Sequence, residues 1–164
     1  MKNHIAYISA GSNMGNKLEN CKKGLNAIAD SGNSTVIDIS RFYKTEPVDY
    51  IEQDWFVNAV AKIKTNLDPF KLLDDLKSIE RKAGRVRDIA RFGPRIIDLD
   101  IILYDDSVIK APGLEIPHPA MHKRRFVLKP ICDIDECIIH PFLKQDMKHL
   151  LALIDDDSQA IAPC

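Results

Sequence analysis

Residues 96–103 read IIDLDIIL, an apolar run broken only by Asp98 and Asp100, and this pattern restricts the fold more than any other in the chain. In a β-strand, alternate side chains share a face, so the two carboxylates point the same way, about 7 Å apart. Ile97, Leu99, Ile101 and Leu103 then point the other way, into a core, and this apolar face fixes the register. Paired carboxylates repel one another and are costly to bury unpaired. A hard divalent cation such as Mg²⁺, which takes oxygen ligands and accepts phosphates as co-ligands, removes that cost. Just upstream, Arg85, Arg87, Arg91 and Arg95 lie in a loop punctuated by Gly93 and Pro94, and their planar donor forks suit phosphate. The combination points to a Mg²⁺-nucleotide site. The plainer alternative is a solvated sheet face whose aspartates pair with those arginines.

The rest of the composition sets bounds. A chain of 164 residues with 45% apolar and 29% charged residues is expected to form one domain, 1–164, around a sizeable core. Its net charge of −1 gives no overall attraction to nucleic acid or membrane. Residues 77–98 are locally basic, with seven cations against three anions. The acidic run Asp155, Asp156 and Asp157 reads as a solvated end. Cys21, Cys132, Cys137 and Cys164 form no C-x-x-C pair, and Cys132, Cys137 and His140 lack a fourth ligand at zinc spacing. Reduced cysteines and no long apolar segment near the N-terminus lead to the expectation of a soluble cytoplasmic protein.

In chain order, residues 5–10 read as a strand that ends in a Gly11-Ser12-Asn13 turn. Leu18, Cys21, Leu25, Ile28 and Ala29 recur at helical spacing between a capping Asn16 and a terminating Gly32. A second strand spans 35–43, followed by a polar loop over 44–54. A third strand, 55–64, places Val57, Ala59, Ala61 and Ile63 on one face, with Phe56, Asn58, Lys62 and Lys64 on the other. Asp68-Pro69 starts a helix that Leu72, Leu73, Leu76, Ile79 and Ala83 stripe and Gly84 ends. A long connection through Pro112-Gly113 leads to His118, held between two prolines, and then to Arg124, Arg125 and Phe126. Residues 146–154 read as a last helix. The order strand-helix-strand, strand-helix-strand predicts an α+β ferredoxin-like sandwich: an antiparallel sheet with helices on one face and the site on the other.

RFGPRIIDLDIIL, with GRVR before it and IPHPAMHKRRFVLKP after it, closely resembles the 6-hydroxymethyl-7,8-dihydropterin pyrophosphokinases of folate biosynthesis. The likeness extends through AYISAGSNMGNK, FYKTEP and WFVNAV, so separated motifs agree in order and spacing. That family has a ferredoxin-like fold and moves pyrophosphate from ATP to the pterin's hydroxymethyl oxygen, releasing AMP. The resemblance implies two Mg²⁺ ions on Asp98 and Asp100, and Arg85 and Arg95 on the phosphates in the transition state. Asp98 is a candidate to take the alcohol's proton, a metal-bound hydroxide being the alternative. It also implies ATP contacts at Lys77, Glu80, Arg87, Phe92, Arg95, Ile101, His118 and Arg124. Phe56 and Phe126 match the aromatics that sandwich the pterin, Asn58 the reader of its amide edge, and Thr45 a position whose backbone meets that edge. Asp98 is implied beside the pterin as well. Such a protein is expected to act as a monomer on two small molecules, with no nucleic-acid or membrane partner.

The chain departs from the family pattern at Phe92, where many members carry Trp, and at Asp49, where glycine is common. Lys77 replaces a polar uncharged residue, and Pro119 follows His118 where some members have Tyr. None of these removes a metal ligand or a phosphate-binding arginine. Two rivals share parts of the pattern. A nucleotidyltransferase would set its Gly-Ser pair on a helix beside the aspartates. An RNA-binding sandwich would show stacking aromatics on its central strands in place of carboxylates.

Overall fold

The computed structural model describes residues 2–47, 52, 54–84, 96–155 and 159–164. The arginine loop, with Arg85, Arg87, Arg91, Phe92, Gly93, Pro94 and Arg95, lies outside the described residues, as do Asp49, Asp156 and Asp157. Five strands build one antiparallel sheet in the order β5-β1-β4-β3-β8, and β2 pairs with the other half of β4. The strands are β1 (His4–Ser12), β2 (Ser34–Ile39), β3 (Tyr43–Thr45), β4 (Phe56–Thr65), β5 (Asp98–Tyr104) and β8 (Ile161–Pro163). With β2 and β3 taken as one strand, β1, β4, β5 and that strand have the order of a ferredoxin-like sandwich.

The helices begin where the sequence signals place them. In α1 (Lys17–Asp30) the Asn16 side chain accepts the Glu19 N–H at 3.2 Å. In α2 (Pro69–Lys82) Asp68 accepts from Lys71 at 2.9 Å, with Pro69 in the first turn. Both pack on one face of the sheet over Ala6, Ile8, Val57, Ala59, Ala61 and Ile63, with Leu72 and Leu76 of α2 turned into the same cluster, so the apolar face expected of β4 is the core face.

Four local expectations change. Gly11 and Ser12 are strand residues of β1, not a turn. The single strand expected over 35–43 is two, because Ser40 enters the ladder with its side chain. The Val60 N–H donates to Ser40 Oγ at 2.9 Å, while Ser40 N donates to Val60 O at 2.8 Å. Leu103 leaves the face of Leu99 and Ile101, because β5 shifts register against β1 between Tyr7 and Ile8: Ile8 pairs Ile101 but Tyr7 pairs Leu103. Ile102 is the extra residue of a bulge, so Ile102 and Leu103 turn to the opposite face.

The fourth change is that the opposite face also carries helices. The 3₁₀ turn Met121–Lys123, α3 (Arg125–Asp135) and α4 (Met147–Ala152) cover Tyr7, Val60, Ile102 and Leu103 in a second apolar cluster. Pro130 inside α3 disguises the helix in the sequence. Before it, β6 (Ile109–Ala111) and β7 (Leu114–Ile116) form a hairpin whose turn uses Gly113 at φ +81.

Candidate active site

α3 and α4 cover only part of that second face, and its polar end lies where β5 begins and β1 ends. One rung of the sheet runs Asp98, Gly11, Asn58, Tyr43 across β5, β1, β4 and β3. Asp100 pairs with Ser9, and Phe56 with Thr45. Directly opposed residues of an antiparallel ladder share a face, so Asp98, Asp100, Asn58, Phe56 and Thr45 are neighbours on one surface. Asp98 and Asp100 are both half-exposed, whereas Leu99 between them is buried in the core. The alternation read from the sequence therefore holds at this end of the strand.

Asn58 is held from both sides. Its Nδ2 donates to Thr45 Oγ1 at 2.6 Å, and both residues are buried. On the other side, a Cβ at Gly11 would stand 2.7 Å from Asn58 Oδ1 and 3.9 Å from the Phe56 ring. The carboxamide thus lies over bare backbone of β1, which only glycine permits. Sequence reasoning missed Gly11 by assigning it to a turn; a glycine inside a strand pattern is the usual sign of such a close approach.

His118 closes another side. Its backbone N–H donates to Ile102 O at 3.0 Å, and its Nδ1 accepts from Ala120 N at 3.2 Å. Burial, and secondarily the Arg124 cation, push its pKa down to about 4, against an opposing pull from Asp98. The ring is therefore neutral near pH 7, with Nδ1 engaged as acceptor and Nε2 carrying the proton. The Arg124 guanidinium stands 5.5 Å from the Phe126 ring centroid, a cation–π distance. Arg124 caps the start of α3, so one short segment delivers both the cation and the ring.

Glu80 is buried on α2 and accepts the Leu99 N–H at 3.3 Å, which ties the helix to the strand between the two aspartates. Lys77 is exposed one turn earlier on α2. Ile101 is buried in the helix-side core, which leaves its side chain little surface for a ligand. Gly11 and Ser12 lie beside the aspartates on strand β1, with Gly11 opposite Asp98, and not on the helix that would favour the nucleotidyltransferase rival. Among the described residues no three His, Cys, Asp or Glu side chains gather as metal ligands. Asp98 and Asp100 present carboxylate oxygens, the ligands a hard cation takes together with water and phosphate oxygens.

A family model described as 7,8-dihydro-6-hydroxymethylpterin-pyrophosphokinase (HPPK) matches residues 7–136. The chain is 44% identical over 136 residues to the 2-amino-4-hydroxy-6-hydroxymethyldihydropteridine pyrophosphokinase of Haemophilus influenzae, covering 83% of this chain and 84% of that one. It is 41% identical over 150 residues to the folic acid synthesis protein fol1 of Schizosaccharomyces pombe, of which it spans 20% of the length while 92% of this chain is covered. Among solved structures, the Plasmodium falciparum HPPK-DHPS with pterin and p-hydroxybenzoate superposes with a TM-score of 0.73 at 18% identity, over 92% of this chain and 43% of that one. At that identity the superposition establishes the fold.

Proposed function

The chain belongs to the 7,8-dihydro-6-hydroxymethylpterin-pyrophosphokinase family, and from that premise we propose that it carries out the reaction named for it. The hydroxymethyl oxygen of 6-hydroxymethyl-7,8-dihydropterin attacks the β-phosphorus of ATP. The bond from that phosphorus to the bridging oxygen of AMP breaks, and the products are AMP and the pterin diphosphate, a step of folate biosynthesis. The observation that carries the reading is the single surface shared by Asp98, Asp100, Asn58, Thr45 and Phe56 at one end of the sheet.

Phosphoryl-type transfer needs positioning and charge neutralisation more than covalent help. Asp98 and Asp100 would hold two Mg²⁺ ions, which when bound would supply neutralisation of the phosphate charge. Asp98 is the candidate within this chain to receive the alcohol's proton. Arg85 and Arg95 approach the phosphates in the transition state. The ATP contacts in this reading are Lys77, Glu80, Arg87, Phe92, His118 and Arg124, with Ile101 contributing through its backbone since its side chain is buried; neutral His118 offers its Nε2–H as a donor without adding charge. Phe56 and Phe126 stack on the pterin faces, each contact worth about 0.5–1.5 kcal/mol beyond burial. Asn58, held by Thr45, reads the amide edge of the pterin ring. The fixed carboxamide favours this role, because an oriented donor-acceptor pair discriminates far better than a mobile one.

The reading takes the 164 residues as one domain acting as a monomer in the cytoplasm. One sheet organising both apolar clusters supports the single domain, and four free cysteines suit a reducing compartment. Among the described residues no helix is long and apolar enough to cross a membrane. Incubation with Mg·ATP and the pterin, followed by chromatography of the nucleotides, tests the reaction. AMP must appear one-for-one with pterin diphosphate and only with the divalent cation present. Release of pyrophosphate with an adenylylated product would instead identify nucleotidyl transfer.

A further inference from the structure

The matched family segment ends at residue 136, yet residues far beyond it reach back to the pocket. We propose that residues 159–161 are a positioning element that sets the spacing between the two walls of the pterin pocket. The inference rests on the function proposed above, in which Phe56, paired with Thr45, and Phe126 take opposite faces of the pterin.

The tie consists of hydrogen bonds converging on Glu46, next to Thr45, and on Arg125, next to Phe126. β8 lies antiparallel on β3 with Ile161 opposite Thr45. The Glu46 N–H donates to Ala160 O at 3.1 Å, and the Ala160 N–H donates to Glu46 Oε1 at 2.6 Å. Gln159 Nε2 donates to Glu46 O at 2.8 Å, while Arg125 Nη1 donates to Gln159 O at 3.1 Å. Residues 159 and 160 thus bridge β3 to the first turn of α3. A separate bond, from Tyr43 OH to Asp133 Oδ2, ties β3 to α3 two turns further on. With that second point held, the bridge at Gln159 governs the separation at the pocket end.

Two features argue that this tie does more than hold the terminus down. β8 buries little apolar surface, since Ala162 and Pro163 are exposed and Ile161 is half-buried. Its attachment therefore depends on directed polar bonds. Gln159 is 3% exposed, and its Oε1 finds no partner among the described residues. A buried carboxamide that spends only half its capacity is a poor choice for stability alone. It is a reasonable one where the position of its Nε2 and backbone oxygen matters more.

The test compares Glu46→Ala, Gln159→Ala and Arg125→Met with Glu46→Gln, which keeps a side-chain oxygen for the Ala160 N–H. Each is assayed below its own melting temperature, with KM measured separately for the pterin and for ATP. The loss of one charge-assisted hydrogen bond predicts a rise of about tenfold in pterin KM for Glu46→Ala and Arg125→Met, with Gln159→Ala moving the same way. ATP KM and kcat stay within about twofold, and Glu46→Gln behaves like the unchanged protein. Unchanged pterin KM, equal rises for both substrates, or a Glu46→Gln variant as impaired as Glu46→Ala would each overturn the inference. If the unchanged protein forms no AMP from the pterin and ATP, the function reading itself is overturned and this inference with it.

Discussion

The two ends of β5 carry opposite chemistry on the same face of the sheet. At its start, Asp98 and Asp100 stand half-exposed beside Gly11 and Ser9. At its end, Ile102 and Leu103 are sealed under α3 and α4 with Tyr7 and Val60. The bulge at Ile102 separates the two regimes, turning an extra apolar residue toward the second cluster while leaving the aspartates in register. One strand can therefore serve a polar site and a second core. The comparison teaches that the site end should control chemistry with little effect on stability, and the covered end the reverse.

The sharpest way to break that division is at the aspartates. Asp98→Ala and Asp100→Ala are each expected to lower the rate of AMP formation by about 10³-fold or more, since several kcal/mol of charge stabilisation is lost. Their thermal midpoints should stay within a few degrees of the unchanged protein. Near-normal turnover in both would remove the metal assignment. At the covered end, Leu128→Ala empties a fully buried position of the second cluster and should cost about 2–5 kcal/mol in urea unfolding. Assayed well below its midpoint it should keep nearly full activity; a large kcat loss in the folded protein would show that the two ends are coupled.

Smaller effects sharpen the picture at the site end. Gly11→Ala drives a Cβ to 2.7 Å from Asn58 Oδ1, and the displaced carboxamide should cost about 1–3 kcal/mol, appearing mainly as a higher pterin KM. Thr45→Val leaves the buried Asn58 amide without its 2.6 Å partner, with a similar direction and a cost of about 1–3 kcal/mol. Thr45→Ser should restore most of it. An unaltered pterin KM in both Gly11→Ala and Thr45→Val would remove Asn58 from pterin recognition.

The smallest effect is a pH dependence. The pKa of His118 is held down to about 4 from an ordinary 6.5, so the unfolded chain takes up this proton before the folded one does. The stability that comes with neutral His118 is complete above 6.5 and is lost as the pH falls through about 4. Urea midpoints of His118→Gln should decline less than those of the unchanged protein across that window. Parallel profiles would mean that another group is titrating.

Much of this architecture was legible in the residues. The helix starts at Asn16 and Asp68 and the oily face of β4 are local signals, set by side chains a few positions apart. The Asp98-x-Asp100 pair could be placed on one face for the same reason. Leu103 could not be placed, because its direction depends on how β5 registers against Tyr7, about a hundred positions away in the chain. α3 was obscured by Pro130, and its helical state is stabilised by burying Val127, Leu128 and Ile131 against the sheet.

By itself, then, the sequence determined which residues alternate, which cap, and that Asp98 and Asp100 share a face. These follow from backbone geometry and from contacts within one or two turns. Only the tertiary structure decided that Gly11 lies beneath the Asn58 carboxamide, that Thr45 holds that carboxamide, and that Gln159 bridges Glu46 to Arg125. Those contacts join residues 13 to 113 positions apart in the chain, and no local preference encodes them. They exist because pairing the strands and burying two apolar faces bring distant backbone into register, and the polar groups caught there must then find their partners in one another.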